Sequence, residues 1–225
     1  MNSFLNPPSS FSSTSVDNIA IGSYTTNKNC KRERYILESI IDALAKYESV
    51  SQDFLKSELE EGKAVFFKAP PRGRPVAVGK GLKIKVNANI GTSGDVHDEG
   101  LEIRKLEAAV KAGADAVMDL STGGDLRSMR KKIISASEIP VGSVPIYEAI
   151  VKAVREKGGG EKMTSDEMLD AIRLHGEDGI SFVTVHCGVT GSVLERLEKS
   201  PRVCGIVSRG GRSEERRVGK ECRSR

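Results

Sequence analysis

VNANIG at residues 86–91 is the first of five short apolar runs that recur along the chain and decide its fold. The others are VMDLS at 117–121, VGSVPIY at 141–147, VTVHCG at 183–188 and GIVSRGG at 205–211. Each run contains β-branched residues and ends in polar or small ones. This pattern is typical of buried parallel strands whose C-terminal ends open onto a site.

The spacing of these runs predicts repeated strand–helix units. Asn89 and Met118 are 29 residues apart, as are Met118 and Tyr147, and one unit of an eight-unit barrel takes roughly 25–30 residues. We therefore predict the α/β class, with an incomplete (β/α)8 TIM-type barrel of about five units over residues 81–211. Such a series does not close a barrel, so we expect the chain to be unfinished.

The local patterns give the elements of this barrel. Helical periodicity alternates with the strand-like runs, and glycines follow several of the helices. The predicted strands are 83–88, 116–119, 140–144, 181–185 and 204–207. The predicted helices are 99–112, 126–137, 147–157, 165–178 with Ser165 as N-cap, and 192–199.

A different composition precedes the barrel. Residues 1–30 are rich in Ser, Thr, Asn and Pro, a composition that predicts disorder. Residues 31–80 form a small, partly helical segment and linker. Its apolar period over 31–48 predicts a helix, Ser51 is a candidate N-cap for a second helix, and 64–67 has the composition of a strand.

Charge and composition exclude several classes of function. The net charge is +4, but residues 212–225 hold six basic and three acidic residues, or +3 of that total. A basic balance confined to one tail, with 4% aromatic residues and no Trp, argues against nucleic-acid binding. No stretch of 18 apolar residues exists, which argues against a membrane span. We expect a cytoplasmic protein, and we interpret residues 212–225 as a non-native tail.

The four cysteines form no paired motif. They are widely spread along the chain, and no two of them have CxxC spacing, so the sequence predicts no metal site. We expect Cys187 and Cys204 to be buried thiols. His97 lies among Asp95, Asp98 and Glu99, and we interpret this stretch as a solvated acidic loop.

Longer motifs carry a resemblance to a known family. They are KVNANIG at 85–91, VMDLSTG at 117–123, VPIYEA at 144–149, TVHCG at 184–188 and GIVSRGG at 205–211. In this order they closely resemble phosphomethylpyrimidine synthase, the radical-SAM thiamine-biosynthesis family ThiC. The resemblance covers about residues 50–211.

The resemblance implies an enzyme, a carbon–carbon lyase. Members of this family convert 5-aminoimidazole ribotide into 4-amino-5-hydroxymethyl-2-methylpyrimidine phosphate. The implied cofactors are S-adenosylmethionine, a [4Fe-4S] cluster and zinc, and the implied assembly is a homodimer. The family's CxxCxxxxC motif does not occur in this sequence, and its zinc histidines lie beyond the matched region. We therefore expect the chain as written to be inactive.

The resemblance also implies substrate contacts at Asn89, Met118, Tyr147 and His186, and in the stretch 208–210. Asn89 offers a donor and an acceptor, Met118 can pack on a flat ring, and the hydroxyl of Tyr147 can reach a substrate. His186 is the candidate catalytic residue because it can exchange a proton near neutral pH. Ser208, Arg209 and the backbone N–H of Gly210 have the composition of a phosphate cradle.

Two other interpretations stay open at this point. One is a non-radical barrel enzyme that binds a phosphorylated substrate, for which His186 and Asp119 are the available base and acid. The other is a non-enzymatic chain whose basic tail binds nucleic acid, in which case binding requires residues 212–225 and depends on salt.

Overall fold

The computed structural model describes residues 31–67, 70–71, 73–186, 188 and 190–207. Its N-terminal part consists of helices α1 (Lys31–Glu48) and α2 (Gln52–Glu60) and strands β1 (Ala64–Phe67) and β2 (Val76–Gly79). The two strands form an antiparallel hairpin, of which the sequence analysis predicted only the first strand. The hydrophobic core of the N-terminal part lies between its two helices and the hairpin. Its buried members include Ile41, Leu44, Leu55, Ala64 and Ala77.

The second part alternates strands and helices around a parallel sheet. The strands are β3 (Asn87–Ile90), β4 (Ala116–Asp119), β5 (Val141–Ser143) and β6 (Phe182–Val183). The helices are α3 (Glu99–Lys111), α4 (Leu126–Ala136), α5 (Pro145–Lys157), α6 (Ser165–Glu177) and α7 (Gly191–Lys199), with a short 3₁₀ helix at Gly160–Lys162. The strand order is β3-β4-β5-β6, and all neighbours are parallel.

This arrangement confirms the α/β class, with helices between parallel strands. An eight-unit barrel and the number of its units stay predictions. The predicted strand at 204–207 is wrong, because residues 203–204 form a turn and 205–207 are irregular. A strand is stabilised by hydrogen bonds to a neighbour, and no described residue pairs with this segment as a strand.

Several boundaries differ from the predicted ones for local reasons. Strand β3 begins at Asn87 because polar groups hold the residues just before it. The N–H of Lys83 donates to Glu48 (2.8 Å), and the N–H of Val86 donates to Asp115 (2.9 Å). Helix α6 has Thr164 rather than Ser165 as its N-cap, in a capping box with Glu167.

Asp115 joins the two parts of the molecule. It lies just before β4 and is 6% exposed. Its carboxylate accepts hydrogen bonds from the Tyr47 hydroxyl and the Val86 N–H, and Arg74 lies 3.4 Å away while stacking on the Tyr47 ring. Burial opposes ionisation, but these hydrogen bonds outweigh it and lower the pKa of Asp115.

An apolar layer separates the sheet from α3 and α4. Ile90, Val117 and Val141 project from three neighbouring strands toward Leu106 and Ile133. The three strand residues lie on one face of the sheet, as expected where side chains alternate between its two faces. Leu106 and Ile133 belong to the apolar faces of α3 and α4. One face of the sheet is therefore covered by α3 and α4.

A buried arginine links α4, α5 and α6. Arg130 is 2% exposed, and its guanidinium donates to Glu148 (2.6 Å) and Asp178 (2.6 Å). Arg127 also binds Asp178 (2.8 Å) from the outer side. Burial opposes ionisation of Asp178, but the hydrogen bonds from Arg127 and Arg130 outweigh it and lower its pKa.

Asp178→Asn should destabilise the protein in a pH-dependent way. An aspartate with a lowered folded pKa stabilises the native state above its unfolded pKa of about 3.9, and this contribution is lost as the pH falls through the folded value. Breaking a buried ion pair costs about 3–5 kcal/mol. Urea unfolding should show that loss at pH 7. The difference in unfolding free energy between wild type and variant should become smaller below about pH 4.

The matched control is Asp170→Asn, which removes an exposed ion pair with Arg173 in which both side chains are 69% exposed. Such pairs contribute about 1 kcal/mol or less. Equal losses for the two variants at pH 7 would contradict the assignment of Asp178 to a buried network.

Candidate functional site

The carboxyl ends of the four parallel strands meet at one edge of the sheet. In the register of the sheet Asn89 pairs with Met118, Met118 with Gly142, and Gly142 with Phe182. Residues paired in register have their side chains on the same face of a sheet. This face is opposite the one that packs on α3 and α4.

Asn89 and Met118 are thus neighbours, as the candidate site requires. Asn89 is exposed, and its Oδ1 accepts a hydrogen bond from Asn87 (3.2 Å). Met118 is 8% exposed and packs among Val144, Ile146 and Ala149. Most of the Met118 surface therefore packs in the core, and its sulfur lies 4.0 Å from the Thr184 hydroxyl.

Tyr147 lies in the first turn of α5, directly after β5. Pro145 begins the helix, and the N–H of Tyr147 donates to the carbonyl of Val144 (3.0 Å). The Tyr147 side chain is half-buried against the cluster that contains Met118. The turn from β5 to α5 thus carries this tyrosine to the same edge of the sheet.

His186 lies three residues after β6. Thr184 continues the strand direction by donating its N–H to Ser143 (2.8 Å), and its hydroxyl lies 4.0 Å from the sulfur of Met118. The Nδ1 atom of His186 is buried and has no hydrogen-bond partner among the described residues. A buried polar atom without a partner is uncommon and indicates a position where a ligand or another group completes the bonding.

Asp119 does not form an acid–base pair with His186. Its register places it on the helix-facing side of the sheet with Ile90 and Ser143, and it accepts hydrogen bonds from Ser121. Burial raises the pKa of Asp119, with the Ser121 hydrogen bonds partly opposing that rise. The non-radical interpretation relied on this pair, but no hydrogen bond or ion pair joins the two residues in the described part of the chain.

The loops that follow β3 and β4 interlock beside the site. The N–H of Thr92 donates to the Ser121 hydroxyl (3.1 Å), and the Thr92 hydroxyl donates to the carbonyl of Gly123 (2.7 Å). The N–H of Thr122 donates back to Thr92 (2.9 Å). A Cβ on Gly123 would lie 1.9 Å from the carbonyl oxygen of Ser93, so the loops can approach this closely only because residue 123 is glycine.

An aromatic pair is the feature of this face that the sequence analysis missed. Phe182 stacks on Phe67 of the hairpin with ring centroids 4.8 Å apart. A Cβ on Gly142 would lie 2.3 Å from the Phe182 ring, so the absent side chain of Gly142 makes room for it. The alternation of Phe182, Thr184 and His186, which begins in β6 and continues beyond it, was the available signal.

Some predicted residues lie outside the described part of the chain. They are Ser208, Arg209 and Gly210 of the phosphate cradle, residues 1–30, Cys187 and the tail at 212–225. Cys204 is described, and the prediction that it is buried is wrong, since it is exposed. The described residues after α7, 200–207, contain no strand that could cover it.

The described residues offer neither a cluster of metal ligands nor a membrane-spanning helix. They contain no group of three or more His, Cys, Asp or Glu that could hold a metal ion. His97 is exposed in its loop, as are Asp95 and Asp98. None of the described helices is long and apolar enough to cross a bilayer.

Comparisons with known proteins point in one direction. The sequence model of the Radical SAM ThiC family matches residues 26–218. A phosphomethylpyrimidine synthase of Thermodesulfovibrio yellowstonii is 47% identical over 177 residues, which is 78% of this chain and 42% of that relative. Phosphomethylpyrimidine synthases of Methanopyrus kandleri and Syntrophus aciditrophicus are 45% and 48% identical, over 83% and 74% of this chain and 44% and 40% of theirs. The chain thus spans about two fifths of the length of these relatives.

Gly123→Ala should separate the interlocked loops. The new methyl group would overlap the backbone of Ser93, and overpacking of this kind costs about 1–3 kcal/mol. Gly94→Ala is the matched control, because a Cβ at this neighbouring glycine meets no atom within 4 Å. In thermal unfolding, Gly123→Ala should have a lower Tm than wild type, whereas Gly94→Ala should not. A Tm unchanged from wild type for Gly123→Ala would contradict the close approach.

Proposed function

The chain belongs to the radical SAM ThiC family, and we propose that it carries part of the substrate site of a phosphomethylpyrimidine synthase. The substrate we assign is 5-aminoimidazole ribotide, and the product of the whole enzyme is 4-amino-5-hydroxymethyl-2-methylpyrimidine phosphate in thiamine biosynthesis. The whole enzyme is a carbon–carbon lyase, and we propose that it acts as a homodimer.

The observation that carries this proposal is the position of four residues at the carboxyl edge of the sheet. Asn89 and Met118 are paired in register, and Tyr147 and His186 follow the next two strands. In barrels built from such units, the loops at this edge carry the chemistry. The buried, unpartnered Nδ1 of His186 supports the presence of a ligand there.

Each side chain has a role that suits the substrate. The amide of Asn89 can bond to an amine or a ribose hydroxyl because it offers both donors and an acceptor. The thioether of Met118 packs on one face of the imidazole, and the Tyr147 hydroxyl bonds to its edge. We assign to His186 the exchange of a proton with the substrate through Nδ1, and to Arg209 the phosphate.

The aromatic pair completes the apolar wall of this site. Phe182 lies in the same row as Met118, and the ring of Phe67 stacks on it. Burial of flat apolar surface excludes water from the substrate ring, so direct hydrogen bonds to the ring gain strength. The N-terminal hairpin therefore belongs to the proposed site through Phe67.

The radical chemistry belongs to cofactors that the described residues do not fit. In the radical SAM family, S-adenosylmethionine and a [4Fe-4S] cluster generate the radical. Several cysteine thiolates together bind such clusters, whereas the described residues offer only the exposed Cys204 and no group of three metal ligands. The proposal for this chain therefore concerns binding and orientation of the substrate.

Calorimetric titration of the 225-residue chain with 5-aminoimidazole ribotide tests the proposal. His186→Ala should weaken binding about 2- to 13-fold, the effect of losing one net hydrogen bond of about 0.5–1.5 kcal/mol. Asn89→Ala should weaken it by a similar factor. His97→Ala is the matched control, since that histidine is exposed in another loop, and its affinity should equal that of wild type.

Two outcomes would contradict the assignment. The first is the absence of binding by the wild-type chain. The second is equal affinity for ribose 5-phosphate, which shares the phosphate and ribose but lacks the imidazole that Met118 and Tyr147 are proposed to contact.

A further inference from the structure

The turn from β5 to α5 is the shortest connection that carries a proposed site residue. Ser143 ends the strand, Val144 is the N-cap, and Tyr147 lies in the first helical turn. Val144 makes no side-chain capping hydrogen bond. The start of α5 therefore depends on Pro145 at the first helical position and has no side-chain cap to hold the residues before it.

One imidazole spans this turn from outside. Nδ1 of His175, on α6, lies 2.7 Å from the Ser143 hydroxyl, and its Nε2 lies 2.7 Å from Glu148. Because a carboxylate only accepts, Nε2–H donates to Glu148, and Nδ1 shares a hydrogen bond with the Ser143 hydroxyl. The residues just before and just after the Val144–Tyr147 stretch are thus bound by the same ring.

The ring itself has little freedom to move. His175 is 3% exposed and Ser143 is 1% exposed. Arg130 donates to the same oxygen of Glu148 (2.6 Å) and lies 2.9 Å from Nε2, while its other nitrogens bind Asp178 at the end of α6. The guanidinium thereby holds Glu148 and the C-terminal end of α6 together.

We propose that His175 is a positioning residue that fixes the orientation of Tyr147 by binding Ser143 and Glu148 on either side of it. Tyr147 packs against the cluster that contains Met118, whereas its neighbour Glu148 binds Arg130 and His175. Loss of either contact to His175 frees one end of the turn. The role assigned to Tyr147 rests on the proposed function, but its orientation can be measured without a ligand.

The first experiment observes Tyr147 directly. The chain is labelled with 3-fluorotyrosine, and Tyr147→Phe identifies the ¹⁹F signal of residue 147. Ser143→Ala removes one contact to His175 and leaves the contacts of Arg130 with Glu148 and Asp178 in place, so the fold should be retained. Its Tyr147 signal should shift or broaden.

Arg127→Gln is the matched control. Arg127 binds Asp178 from the exposed side of the same network and does not contact His175, Ser143 or Glu148 in the described structure. Its Tyr147 signal should match that of wild type even if its Tm falls. An unchanged signal in Ser143→Ala, or the same change in Arg127→Gln, overturns the proposal.

The second experiment measures coupling to the ligand. Ser143→Ala should weaken the binding of 5-aminoimidazole ribotide about 5-fold with Tyr147 present and less than about 2-fold in the Tyr147→Phe background, since contacting or networked residues are coupled. Equal weakening in both backgrounds overturns the proposal. If the wild-type chain does not bind this ligand, the proposed function fails, and the ¹⁹F comparison alone decides the role of His175.

Discussion

The buried charge of Arg130 is the constraint on which the outer layer of the molecule depends. Removing a guanidinium from water costs several kcal/mol unless partners compensate for it. Here they come from two other helical elements, Glu148 in α5 and Asp178 at the end of α6. These elements can pack together only in an arrangement that brings both carboxylates to Arg130, and that arrangement sets the position of the β5–α5 turn.

Asp115 has the corresponding role at the other end of the sheet. Its carboxylate binds Tyr47 of α1 and the backbone just before β3. This contact fixes the N-terminal part against the strands, and the hairpin then reaches the open face of the sheet, where Phe67 stacks on Phe182. One face of the sheet is thus filled by helices, and the other combines an aromatic wall with the polar residues of the proposed site.

Local patterns predicted most elements because their causes are local. Apolar periodicity and capping residues such as Ser51 located α1 through α7, and the run around Val117 located the central strand β4. The second strand of the hairpin was missed because a linker composition surrounds it and its stability comes from pairing with β1. The strand predicted at 204–207 failed for the converse reason, since apolar composition does not form a strand without a neighbour to pair with.

In the candidate site, too, some features follow from local sequence and others from packing. The sequence by itself determined which residues end the strands, and thereby that Asn89, Met118, Tyr147 and His186 lie at one edge of a parallel sheet. Only the tertiary structure decided that Asp119 faces away from His186 and that Phe182 faces the site. It alone decided that His175 binds both Ser143 and Glu148, because contacts between residues tens of positions apart depend on how elements pack and leave no local pattern.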